Sequence, residues 1–169
     1  MITDWLIPRA ISYQDNPENV DWVDTTPLNN TLKFPLKAKA ELDHISIHDL
    51  AYIGHNGDML VLKDFNIPEY TSIQGIEVMI DVRRRARISD YTVQLHNNET
   101  AIGLNLAEPT IPRDNLSIYG SSTETWGITS FPDLTSPDFG VLLQVGPHPL
   151  YPGKDPAIID KVAIRITYS

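Results

Sequence analysis

The chain of 169 residues contains no cysteine. A disulfide framework and a thiolate metal site are therefore excluded, and burial of apolar side chains has to stabilise the fold by itself. The chain also lacks any run approaching the ~20 apolar residues of a membrane helix. Residues 1–25 contain no apolar segment of the kind found in a signal peptide. We therefore expect a protein that is made in the cytoplasm without a signal peptide and is not bound to a membrane. The length of the chain predicts a single domain.

Positive charge is scarce, because 13 Lys and Arg residues stand against 22 Asp and Glu, for a formal net charge of -9. Binding to nucleic acid depends on neutralising phosphates with Lys and Arg, so this composition disfavours a nucleic-acid partner. The local exception is residues 83–87, which contain Arg83, Arg84, Arg85 and Arg87. This run is either a solvated strand end or a basic patch that docks on an acidic neighbour such as a second copy of the chain.

Sequence signatures of catalysis are also missing. There is no Gly-x-Ser-x-Gly elbow, phosphate-binding loop or dinucleotide fingerprint. His44 and His48, followed by Asp49, are a weak signal for a zinc site or a hydrolase, because zinc requires at least a third protein ligand. Four aspartates fall in predicted turns without the spacing of a calcium loop: Asp133, Asp138, Asp155 and Asp160. We therefore expect no enzymatic activity, no cofactor and no metal.

Residues 1–41 show no sustained period of two or of 3.6, and prolines and polar turn residues separate Trp5 from Trp22. We predict an extended N-terminal arm over 1–41 and a β-sandwich domain over 42–169. Each tryptophan can bury on the order of 200 Å². The two rings therefore either cap the chain's own sandwich or anchor in a neighbouring subunit, and we favour the second alternative.

From residue 42 onward, short apolar alternations recur between turn signals. The clearest is 73–83, which places Ile76, Val78 and Ile80 on one face. The other predicted strands are 45–53, 59–65, 88–95, 101–106, 117–119, 123–128, 140–145 and 158–168. We also expect turns at 55–58 and 97–98 and a short turn of helix within 132–138. The pattern predicts an all-β, antiparallel β-sandwich of jelly-roll-like type.

Carbohydrate binding is a competing hypothesis, because β-sandwich modules hold sugars with exposed aromatic rings and nearby carboxylates. Tyr119, Glu124 and Trp126 lie close together in the sequence, and a strand over 123–128 would place Glu124 and Trp126 on the same face. Trp126 is then either packed in the core or part of a platform for a glycan.

The order of short motifs along residues 15–168 resembles a β-sandwich domain that recurs in virion proteins of tailed bacteriophages, including tail-fibre, appendage and decoration components. The motifs are NPEN at 16–19 with Trp22, FNIP at 65–68, IQGIEVMI at 73–80, ISDYTVQL at 88–95, IGLN at 102–105, Tyr119-Gly120, Trp126-Gly127, FGV at 139–141 and IDKVAIRITY at 159–168. The segment 27–39, with Lys33, Lys37 and Lys39, is longer than the resemblance implies.

The resemblance implies a non-enzymatic structural protein of a virion, either a capsid decoration protein or a neck or tail appendage. It implies a homo-oligomer, such as a trimer, that attaches to capsid or tail proteins. With the sequence features above, it points to Trp5, Trp22 and the four arginines of 83–87 as assembly residues. The alternative is a glycan-binding adhesin or carbohydrate-binding module.

Overall fold

A computed structural model describes residues 1–14, 59–82, 88–110, 116–150 and 159–169 of the chain. The described residues contain eight β-strands and no helix: β1 Ala10–Gln14, β2 Met59–Lys63, β3 Ile73–Val82, β4 Ile88–Asn97, β5 Thr100–Ile102, β6 Leu116–Gly120, β7 Phe139–Pro147 and β8 Ile159–Tyr168. The predicted elements at 45–53 and 55–58 lie outside the described residues. The all-β prediction is confirmed.

The strands form two antiparallel sheets, one of five strands in the order β1-β2-β7-β4-β5 and one of three in the order β6-β3-β8. Residues 2–6 lie beside β8 through bridges from Ile2 to Thr167 and from Leu6 to Ile164. With this segment as a first strand, one sheet reads 2–6, β8, β3, β6 and the other β2, β7, β4, β5. This is a jelly-roll-like order, with β1 added beside β2.

The core lies between the two sheets and is built from the alternating faces of their strands. Ile76, Val78 and Ile80 on β3 are fully buried, as their period of two predicts. Leu143 and Val145 on β7 meet them from the other sheet. Apolar side chains of both sheets therefore hold the sandwich together.

The first fourteen residues of the predicted arm lie extended along the edges of the two sheets. The Thr3 and Leu6 amides donate to the Ile166 and Ile164 carbonyls at 2.9 and 2.7 Å, and β1 pairs with β2 over all five residues. The physical reason is that both sheets offer an open backbone edge, at β8 and at β2, which a neighbouring extended segment can satisfy. Residues 15–41 lie outside the described residues.

Two predictions of local structure were wrong, and one predicted strand is shorter than expected. Residues 123–128 form turns instead of a strand, because Trp126 and Gly127 adopt positive φ angles of 58° and 69°, which a strand does not allow. Residues 132–138 form turns without a helical segment. The predicted strand at 101–106 ends early, at Ile102, where Gly103 takes a φ of 66°.

Candidate functional site

Trp126 is fully buried and belongs to the hydrophobic core. Its indole nitrogen donates to the Ile76 carbonyl at 2.9 Å. Gly120 makes this approach possible, because a Cβ there would lie 2.2 Å from the Ile76 carbonyl oxygen and 3.0 Å from the indole nitrogen. A glycan platform needs an exposed ring face, so the structure contradicts this role for Trp126 and supports the alternative of core packing.

Glu124 stabilises the turn over residues 123–128. One carboxylate oxygen accepts the Trp126 amide at 2.7 Å, and the Glu124 carbonyl accepts the Ile76 amide at 3.0 Å. The predicted strand would have placed Glu124 and Trp126 together on one face, whereas the turn uses Glu124 to position the Trp126 backbone. Glu124 therefore acts in the scaffold here and does not extend a sugar-binding surface.

Tyr119, the third residue of the predicted platform, packs against the core. Its phenol donates to Asp90 Oδ2 at 2.5 Å. Asp90 is only 4% exposed, and a β-bulge at Asp90 and Thr92 interrupts the regular pairing of β4 with β7. The predicted platform residues are thus bonded within the fold.

Among the predicted assembly residues, Trp5 is half-buried and stacks on Arg165 of the same chain, 4.5 Å from the guanidinium carbon to the ring centroid. Arg165 in turn makes a bidentate pair with Glu77, with nitrogen to oxygen distances of 2.7 and 2.8 Å. This hydrogen bonding raises the pKa of Arg165. This contact within the chain corresponds to the alternative in which Trp5 packs on the chain's own sandwich. Trp22 and the run Arg83, Arg84, Arg85, Arg87 lie outside the described residues.

His44, His48 and Asp49 also lie outside the described residues, as does Asp155. Asp133 Oδ1 accepts the amide and the hydroxyl of Thr135 at 2.9 and 2.7 Å, which is the turn-capping role predicted from sequence. Within the described ranges, no group of three or more His, Asp or Glu side chains is placed to hold a metal ion. The same part of the chain contains no helix that is long and apolar enough to cross a membrane.

An exposed apolar pair on the edge strand β6 was not predicted. Leu116 and Ile118 on β6 are each 49% exposed. Ile118 pairs with Met79 on β3, which pairs with Ala163 on β8. Met79 and Ala163 are buried, so the exposed apolar surface here is confined to β6. The predicted strand at 117–119 covers part of β6, but no residue was assigned to its outward face. The alternation of Leu116 and Ile118 around Ser117 was the available signal.

A second unpredicted feature is an open surface pocket of about 400 Å³ at the end of the sandwich that carries the β2–β3 and β6–β7 loops. Its lining is Glu69, Tyr70, Phe131, Pro132, Asp133 and Thr135. The Tyr70 phenol donates to the Pro132 carbonyl at 3.2 Å and accepts the Leu134 amide at 3.0 Å. Sixty residues separate the two halves of this pocket in the sequence, so no local motif marks it.

His96 is a fully buried histidine on the face of β4 opposite Leu95. Nδ1 accepts the Glu99 amide at 3.1 Å, which places the ring proton on Nε2, 3.1 Å from the Leu62 carbonyl. Burial lowers the pKa of His96 below its ordinary value, and the Leu62 bond opposes this shift. His96 is therefore a neutral bridge between β4 and β2, which passes over Gly140 of β7.

The chain matches no family model, no curated protein and no solved structure.

Proposed function

We propose that this chain is a non-enzymatic structural protein of a tailed-phage virion, a homo-oligomeric capsid decoration protein or a neck or tail appendage component. The observation that carries its assembly role is the exposed apolar pair Leu116 and Ile118 on the edge strand β6. Exposed apolar side chains that form one patch favour an interface. The virion setting is favoured by the resemblance in motif order and by the jelly-roll-like order of the strands, which many viral capsid proteins share.

The arrangement of polar side chains is compatible with this proposal. Asp90, His96 and Glu77 are buried, and each is bonded to a group on another strand, namely the Tyr119 phenol, the Leu62 carbonyl and the Arg165 guanidinium. These bonds hold strands in register, which suits a rigid building block. Attachment to capsid or tail proteins is proposed through residues 15–41 of the predicted arm, which contain Trp22.

Incorporation into particles tests the proposal. Particles of the phage that encodes the chain would be purified and examined by mass spectrometry for wild-type chain and for the double variant Leu116→Ser/Ile118→Ser. We expect wild-type chain in a fixed copy number per particle and much less of the double variant. Leu150→Ser is the matched control, because Leu150 is an exposed leucine, at 65%, that does not belong to this pair. Particles that never contain the wild-type chain would refute the virion role.

A further inference from the structure

The pocket at the Tyr70 end of the sandwich has a fixed aromatic wall. Both bonds of the Tyr70 phenol go to the Pro132 and Leu134 backbone, and Leu134 is fully buried in the core. The orientation of the tyrosine ring is thereby set before anything binds. Phe131 lines the same pocket and is also half-buried. A ligand with a flat, weakly hydrated group would meet ordered rings here.

The polar side of the pocket is negative. Glu69 and Asp133 are exposed, and the hydrogen bonds from Thr135 fix one oxygen of Asp133. In the part of the chain that the structure describes, neither carboxylate pairs with a Lys or Arg side chain. Two carboxylates beside two aromatic rings favour a cation over a neutral or anionic group.

The chain contains an example of such a site in its filled form. Arg165 lies between the Trp5 ring, at 4.5 Å, and the Glu77 carboxylate, at 2.7 and 2.8 Å. A guanidinium group is planar, stacks on aromatic faces and binds carboxylates in a fork. The pocket presents the same two kinds of group, so arginine is the side chain it suits best.

The chain itself carries a cluster of arginines, since four of its 13 Lys and Arg residues fall within residues 83–87. These residues connect the end of β3 to the start of β4, whereas Glu69 and Tyr70 precede the start of β3. A strand of this length spans about 30 Å at 3.3 Å per residue. Five connecting residues cannot cover that distance and return, so the run cannot reach the pocket of its own chain.

We propose that the pocket formed by Glu69, Tyr70, Phe131 and Asp133 receives an arginine of the 83–87 run of a second copy of this chain. The inference rests on the homo-oligomeric role proposed above and names one of its contacts. Because the pocket contains Glu69 and Tyr70, which precede β3, and the run follows the end of β3 in the sequence, the contact is head to tail. Such contacts close into a ring or continue as a filament, depending on the rotation between copies.

Sedimentation velocity of the full chain over a concentration series tests this contact. The pocket variant is Glu69→Gln/Asp133→Asn, and the run variant is Arg84→Ser/Arg85→Ser. We expect each to raise the dissociation constant of self-association at least about tenfold, or about 1.4 kcal/mol. The melting temperature should stay unchanged at concentrations low enough for wild type to be monomeric. The matched control is Asp4→Asn/Glu108→Gln, which removes the same charge from exposed carboxylates away from the pocket.

Mixing the two variants is the decisive experiment. The pocket variant keeps its arginines and the run variant keeps its pocket, so the mixture should form a one-to-one complex that does not grow further. Added salt should weaken this complex, because screening acts over about 8 Å at physiological ionic strength. Association that is unaffected by either variant but lost in Leu116→Ser/Ile118→Ser would overturn this inference while leaving the proposed function intact. Saturable binding of a neutral glycan that requires Glu69 and Asp133, without self-association through them, would also overturn it.

Discussion

The phenol of Tyr119 on β6 donates a 2.5 Å hydrogen bond to Asp90 Oδ2 on β4, so that a half-buried tyrosine of one sheet meets a buried carboxylate of the other. Tyr119 is anchored by pairing with Val78 of β3, and Asp90 by pairing with Val145 of β7. The bond therefore links the two sheets directly, in addition to the apolar packing between them.

Tyr119→Phe should lower the free energy of unfolding by about 1–3 kcal/mol, because it removes a donor from a buried carboxylate while keeping the ring. Urea denaturation at neutral pH measures this loss. Tyr168→Phe is the control, since it deletes the same oxygen from a half-buried tyrosine of β8. Equal losses in the two variants would show that the link between the sheets contributes nothing.

Trp5→Ala should loosen the N-terminal segment of the isolated chain. The variant loses the stacking on Arg165, which contributes about 0.5–2 kcal/mol, so the amides of Thr3 and Leu6 should exchange their hydrogens faster. Hydrogen exchange read by mass spectrometry is the measurement, with Ile2→Ala as the control in the same segment. Unchanged exchange combined with lost self-association would instead favour the intersubunit role predicted from sequence.

Stability should fall as the pH falls below about 6.5, the ordinary pKa of histidine. Burial lowers the pKa of His96 in the folded state, so the unfolded chain binds a proton at a higher pH than the folded chain does. The stabilisation from neutral His96 is thus fully present above about pH 6.5. It is lost as the pH falls toward the pKa of His96 in the folded state. The charged groups near the ring are Lys63, Glu99 and Asp138.

His96→Gln tests this pH dependence, because glutamine does not titrate and keeps a donor near the Leu62 carbonyl. Chemical denaturation at several pH values between 5 and 8 should show a flatter profile for His96→Gln than for wild type. His148→Gln is the control at the other buried histidine of the described residues. A profile that flattens only in His148→Gln would contradict the assignment to His96.

Ile80→Asp should unfold the domain, at a cost on the order of 4 kcal/mol or more, because it places a carboxylate in the core. Ile80 is fully buried, and its backbone pairs with Ser117 on one side and Val162 on the other. Circular dichroism melting is the measurement. Gln74→Asp, an exposed position of the same strand, should melt near the wild-type temperature, and equal melting of both variants would contradict the face assigned to β3.

Sequence periodicity predicted the strands that have one buried face. The alternation in 73–83 is the strongest example, since Ile76, Val78 and Ile80 are all buried and Val78 faces Tyr119 across the β3–β6 pair. The strand β1 was missed because it has only five residues, and the strand it pairs with, β2, begins 45 residues later at Met59. Periodicity reports one segment at a time and carries no signal from a distant partner.

The turn at Trp126 could not be predicted from alternation either. Thr123, Thr125 and Trp126 are residues typical of strands, but the segment is held as a turn by Glu124 and by the fit of the indole above Gly120. The pocket could not be predicted from local alternation for a similar reason. Tyr70 and Phe131 lie in two different loops, which meet only in the folded chain. Contacts of the folded chain override local propensity at both places.

The most direct test of the central claim, that this sandwich is a building block of an assembly, is the mass of the chain in solution by sedimentation velocity over a concentration series. We predict that wild-type chain sediments as a defined homo-oligomer and that Leu116→Ser/Ile118→Ser shifts it toward the monomer of 19.0 kDa. Leu150→Ser should behave as wild type. A wild-type chain that remains a 19.0 kDa monomer at every concentration and is indistinguishable from Leu116→Ser/Ile118→Ser would contradict the account.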